Sequence, residues 1–162
     1  MRRACRRHAP GDWPRAAEAA TVTLAFDDRH KRRFRLRDDA GEVFLLDLPS
    51  AVLLGEGDGL ALEDGRYVRV VAAPEPVADL ACATKTEAAR LAWHIGNRHV
   101  PLQVLADGGL RIRDDHVLVA MLEGLGATVR CHTAPFAPEG GAYAEAGHAH
   151  AHGREGAGHA HG

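Results

Sequence analysis

The hydrophobic period of this chain changes once, around Pro74-Glu75-Pro76, and that change constrains the fold more than any other feature. Two prolines in three residues stiffen the backbone and remove two amide donors, which marks a domain boundary. Before it, apolar residues alternate with polar ones in short runs. Thr21 to Phe26 and Arg33-Phe34-Arg35-Leu36-Arg37 alternate, and Glu42 to Leu48, Leu60-Ala61-Leu62 and Tyr67 to Ala72 follow. Asp- and Gly-rich turns separate them. Period two punctuated by such turns reads as strands. Five or six of them predict a small closed or nearly closed antiparallel β-barrel-like domain over residues 21–74. The preceding residues 1–20, opening Met1-Arg2-Arg3-Ala4-Cys5-Arg6-Arg7, read as a flexible basic leader; no apolar stretch follows to make a signal peptide.

After the prolines the signals become those of capped helices. Val77 to Ala83 reads as a strand. Thr84-Lys85-Thr86-Glu87 fits a capping box, with Thr84 as N-cap. The helix places Ala88, Leu91, Ala92 and Ile95 on one face, and Gly96 is expected to stop it. Val100 to Leu105, a turn at Asp107-Gly108-Gly109 and Leu110 to Arg113 form a hairpin. Asp114 or Asp115 caps a second helix, whose buried face carries Val117, Leu118, Met121, Leu122 and Leu125 and which ends at Gly126. Thr128 to Phe136 is a last strand. The order βαββαβ over 77–136 is the ferredoxin-like split unit. The fold class is therefore α+β, ending in a disordered His-rich tail over 137–162, where apolar bulk is scarce.

Composition excludes several function classes. The net charge of −2 supplies no global basic field for nucleic acid. No apolar run reaches the roughly 18 residues of a membrane span. Cys5, Cys82 and Cys131 are odd in number and widely spaced, so they form neither a disulfide framework nor a metal knuckle, and the chain reads as cytoplasmic. Each half-size domain is marginal alone, which favours an oligomer.

The unusual residue is histidine. Of 11, five fall in the last 15 positions: His148, His150, His152, His159 and His161. Small residues between them let two or more rings converge on one ion, and neutral imidazole suits nickel, copper and zinc. In the folded part, His99 follows the first helix in Gly96-Asn97-Arg98-His99-Val100-Pro101. The open ends of a hairpin lie about 5 Å apart, so His99 and Asp114-Asp115-His116 are expected at one end of the sheet. His116, in the first turn of its helix, faces the positive helix end, which favours the neutral ring that a metal needs. Its other reading is a hydrogen-bonding residue near a cap. His94 reads as a half-buried structural residue. Cys131 and His132 are adjacent in a strand and point to opposite faces. One His99 cannot hold a metal well, whereas two copies related by a two-fold axis can share an ion.

With these residues the sequence resembles the urease accessory nickel metallochaperone family. The resemblance rests on His94-Ile95-Gly96-Asn97-Arg98-His99-Val100-Pro101-Leu102-Gln103, on Arg111-Ile112-Arg113-Asp114-Asp115-His116-Val117-Leu118, and on Pro135-Phe136-x-Pro138-Glu139-x-Gly141-Ala142-Tyr143 before the His-rich end. Arg32-Arg33-Phe34-Arg35 and Gly57-Asp58-Gly59-Leu60 belong to it too. It implies a peptide-binding-like N-terminal domain, a ferredoxin-like metal-binding and dimerisation domain, a homodimer, and delivery of nickel(II) to apo-urease with accessory proteins including a GTPase. Zinc or copper(II) would enter the same sites. His99 corresponds to the family's interface histidine and His148 to His161 to its tail ligands. Asp114 stands where some members carry a second histidine two residues before His116, so a His-x-His auxiliary site is not expected.

Other functions remain readable. Passive nickel storage or detoxification would use the tail alone. A metal-dependent hydrolase would need three fixed ligands, an open position and a base, yet no HExxH spacing occurs and the densest ligands sit in the tail; no enzyme activity is expected. The basic leader could contact RNA, but binding to nucleic acid or to a membrane is not expected.

Overall fold

A computed structural model describes residues 1–140. Among these residues ten strands form two sheets, accompanied by three α-helices and one 3-10 turn. The N-terminal sheet contains β1 (Arg2–His8), β2 (Glu18–Leu24), β3 (His30–Arg37), β4 (Val43–Leu53), β5 (Gly59–Leu62) and β6 (Tyr67–Ala72), ordered β2-β6-β5-β1-β4-β3. Its alternation is as the sequence suggests: Phe44, Leu46 and Leu48 of β4 point inward and join Val68, Val70, Leu60 and Leu62 in one core. The sheet curls until its two edges approach. Asp39, in the β3–β4 turn, accepts hydrogen bonds from Thr21 Oγ1 (2.6 Å) and Thr23 Oγ1 (2.8 Å) of β2.

Two expectations are corrected here. Residues 1–20 are not a flexible leader. β1 lies inside the sheet, parallel to β4 and antiparallel to β5, and Ala4 is fully buried. Trp13 is buried as well, stacked on Tyr67 at 5.1 Å. Its ring lies so close to Gly59 that a Cβ there would approach it to 2.6 Å. The sheet is also mixed rather than antiparallel, because β1–β4 and β2–β6 pair in parallel. Parallel partners are distant in sequence and leave no hairpin signature.

The C-terminal sheet contains β7 (Pro74–Ala81), β8 (Gln103–Val104), β9 (Leu110–Arg113) and β10 (Thr128–Pro135), ordered β10-β7-β9-β8. Helices α2 (Lys85–Gly96) and α3 (His116–Gly124) cover one face. This is the βαββαβ unit expected from the helix and turn signals. Leu91 and Ile95 of α2 and Leu122 of α3 pack on Ala78, Leu80, Leu110 and Ile112. Thr84 Oγ1 accepts from Glu87 N (3.1 Å), while Glu87 Oε2 accepts from Ala83 N (2.8 Å). Asp115 caps α3 by accepting from Val117 N and Leu118 N. At the other end Gly126 (φ 90°) donates to Glu123 O and Ala127 N donates to Leu122 O, the two bonds of a Schellman stop. The apolar face of α3 is narrower than its sequence pattern: Val117 is 65 % exposed and Leu125 43 %.

The opposite face of this sheet is covered by polar side chains and by the chain leaving β10. Arg111 donates to both carboxylate oxygens of Asp79 (2.6 and 2.9 Å), and His132 Nε2 meets the same group at 2.7 Å. Phe136 is fully buried, and Glu139 N donates to Leu102 O beyond it. A short helix, α1 (Phe26–Arg29), ties the two sheets together. Arg29 is buried and donates to the carbonyls of Leu54 and Phe136; Phe26 packs edge-on against Phe136 at 5.3 Å.

Candidate metal centre

The histidine that the sequence singles out stands where the backbone is least relaxed. Gly96 does not stop α2. It is the last helical residue, and the chain runs on through Asn97 and Arg98, with Arg98 N donating to Ile95 O and His99 N to Gly96 O. His99 then reverses direction with φ 54°, the only non-glycine residue with positive φ among those described. That conformation costs an L-residue roughly 1–2 kcal/mol. Pro101 follows two residues on and forbids further helix. Strand β8 therefore starts only at Gln103, later than the expected Val100.

This reversal leaves the His99 side chain exposed at the rim of an open groove of about 470 Å³. His99, Val100 and Pro101 form one wall; Arg113, Asp114 and Asp115 form another; Glu75 and Pro76 complete it. The sequence-based juxtaposition of His99 with the Asp114-Asp115 segment is therefore present, and it comes from the hairpin of β8 and β9. His116, the first residue of α3, is exposed beside the groove but does not line it.

Most carboxylates of the groove are already engaged. Glu75 accepts from Phe26 N at 2.9 Å, and Asp115 holds the α3 cap. Asp114 lies 3.7 Å from the Cys131 thiol, which burial and the nearby acid push above its ordinary range. Among the described residues no three His, Cys, Asp or Glu side chains converge to hold a metal. Within the groove, a single protomer's described residues thus offer one imidazole, that of His99, rather than a closed shell.

Three other histidines of the folded region have structural partners. His132 serves the Asp79–Arg111 pair; Arg111 holds the Asp79 carboxyl below its ordinary range, opposed by burial and assisted by His132. His94 packs against Trp93 at 5.0 Å, and His8 against Tyr67 at 5.6 Å. His148, His150, His152, His159 and His161 lie outside the described residues. Sequence reasoning missed Arg113 and Glu75 as walls of the groove. Arg113 stacks over Phe26 at 5.2 Å and pairs with Asp27 at 2.8 Å, so the first sheet's connection helps shape the second domain's site. No local pattern carries that signal.

Comparison with known proteins agrees with this architecture. Residues 3–73 match the model of the UreE urease accessory protein N-terminal domain, and residues 75–162 match that of its C-terminal domain. The chain is 54 % identical over 138 residues to the urease accessory protein UreE of Bradyrhizobium sp. (strain ORS 278), covering 85 % of this chain and 65 % of that protein. It is 49 % identical to that of Rhodopseudomonas palustris (strain HaA2), covering 94 % and 70 %. With that of Chelativorans sp. (strain BNC1) it shares 52 % identity over 80 % and 84 %. The chain thus spans just under two thirds of the Bradyrhizobium relative's length. Two domain models that together run from residue 3 to residue 162, joined at the proline boundary, show that the chain belongs to the UreE urease accessory protein family.

Proposed function

We propose that this protein is a nickel metallochaperone, carrying nickel(II) as cargo and passing it to apo-urease during assembly of the metallocentre. The observation that carries this reading is the exposed His99 in left-handed conformation on a groove most of whose carboxylates are engaged. Such strain persists where surrounding structure enforces it, and it concentrates at functional positions. One imidazole per protomer calls for a second copy. A homodimer would bring two His99 rings to one ion across a two-fold axis. His148, His150, His152, His159 and His161 would then complete the shell, with His116 as an auxiliary ligand.

An open shell of imidazoles suits delivery. Ligands leave one at a time, so the ion can be exchanged into a recipient without breaking a closed thiolate cage. Zinc and copper(II) compete for the same imidazoles, since affinity follows ligand type more than identity of the ion. The role is that of a carrier and not an enzyme. The C-terminal sheet would dimerise and hold metal, while the N-terminal sheet faces partners, among them apo-urease and its accessory proteins including a GTPase. The compartment is the cytoplasm, consistent with the absence of any helix long and apolar enough to cross a membrane among the described residues.

Nickel titration of wild type, His99→Ala and a chain lacking residues 144 to 162, with mass measured in each state, tests the proposal. The expected result is one tight ion per dimer that vanishes in His99→Ala and survives removal of the tail, with urease activation reduced but present. Unchanged tight stoichiometry in His99→Ala would overturn it. Loss of all binding and activation with the tail alone would instead favour passive storage.

A further inference from the structure

Strand β3 is an edge of the N-terminal sheet, and its composition is unusual for an edge. His30-Lys31-Arg32-Arg33-Phe34-Arg35-Leu36-Arg37 carries five Lys and Arg residues and no acid, in a chain whose net charge is −2. Pairing with β4 fixes which way they point. Arg33, Arg35 and Arg37 pair with Asp47, Leu45 and Val43 on the outer face, whereas Phe34 and Leu36 pair with the buried Leu46 and Phe44. Leu36 is buried, but Phe34 at the rim of the core is 50 % exposed.

Local acids do not neutralise the arginine row. Asp47 is shared between Arg33 and Arg3 of the neighbouring strand β1. Arg37 donates to the Gly41 carbonyl. Arg35 is exposed and has no hydrogen-bond or ion-pair partner among the described residues. Three guanidinium groups thus stand at alternate positions, about 6.7 Å apart along the strand, beside a row of backbone groups that no second strand pairs among the described residues.

We propose that the β3 edge docks an extended acidic protein segment. The segment would add to the sheet as a further strand, placing carboxylates at every second position opposite Arg33, Arg35 and Arg37. An apolar residue between two of them would meet Phe34 on the other face. Main-chain hydrogen bonds supply affinity and the alternate side chains supply register. A purely protective edge uses charge to repel strands and does not leave a large apolar ring open. Nucleic acid fits less well, because single strands combine a basic track with aromatic stacking on the same surface. Here Phe34 faces away from the arginine row, and Lys31 lies over its ring at 4.9 Å. The inference rests on the reading that the N-terminal sheet faces partners and names the edge and the chemistry of one; it does not depend on the metal site.

The test is fluorescence anisotropy with the full chain and a fluorescein-labelled peptide, GSEVETESG, against its isomer GSVEEETSG. We expect saturable binding of the alternating peptide below about 1 mM and weaker binding of the isomer. Arg35→Glu turns a cross-strand attraction into a repulsion and should weaken binding at least about fivefold. Arg66→Glu, a charge-matched reversal on the β5–β6 turn, should leave it unchanged. A circular-dichroism spectrum and thermal melt matching wild type would show that Arg35→Glu is folded; if they do not match, Arg35→Gln and the two-peptide comparison on wild type decide. Equal binding of both peptides, equal loss in Arg66→Glu, no saturable binding, or tighter binding of a short single-stranded RNA would each overturn the proposal.

Discussion

Replacing His99 by glycine should make the protein more stable while removing its tightest metal site. His99 has φ 54° and an exposed side chain, so little packing is lost with the imidazole. Relief of the left-handed penalty contributes roughly 1–2 kcal/mol. Glycine's additional freedom in the unfolded chain offsets about 0.5–1 kcal/mol of this. The net gain is about 0.5–1 kcal/mol, or a melting temperature higher by roughly 1–4 °C for a chain of this size. His99→Ala keeps a Cβ in the same conformation and should gain nothing. Calorimetric melting of the three metal-free proteins in chelator, followed by nickel titration of each, separates the two consequences. If His99→Gly melts at or below wild type, the strain is not where the backbone places it. If it melts higher yet binds nickel as before, His99 is not the shared ligand.

Two further outcomes test the frame around the groove. Asp115→Ala removes the side chain that accepts from Val117 N and Leu118 N, and should cost about 1 kcal/mol in urea unfolding; an unchanged midpoint would mean that α3 is held by packing alone. Asp79→Asn leaves the half-buried Arg111 with a neutral partner and should cost about 1.5–3 kcal/mol at neutral pH. Because Arg111 lowers the Asp79 carboxyl in the folded state, its contribution is fully present above the unfolded aspartate value of about 3.9 and fades as pH falls below it. The gap between wild type and Asp79→Asn should therefore narrow in acid, and a gap constant down to low pH would refute the pair's ionic character.

Much of the C-terminal domain was legible because its signals are local. Thr84 with Glu87, Asp115 at the start of α3, Gly126 at its end and the Asp107-Gly108-Gly109 turn each act within a few residues, and each appears in the structure with its hydrogen bonds. Their order fixes βαββαβ topology, and topology alone brings His99 towards Asp114 although 15 positions separate them in sequence. The strand β1 was illegible for the opposite reason. Its seven residues are mostly arginine, and Ala4 is its only fully buried side chain. It is recognisable as a strand only once β4 and β5 are in place on either side.

The chain's own residues determined that a β-rich half precedes a split βαββαβ half, and that histidines gather beyond it, because alternation, caps and turns depend on near neighbours. Tertiary structure decided the rest. It placed an arginine-rich N-terminus within a sheet, moved the reversal after α2 from Gly96 to His99, and built one wall of the groove with Arg113 stacked over Phe26 from the other domain. Each of these depends on contacts between segments far apart in the chain, and such contacts impose a backbone conformation or a buried position that local preference opposes.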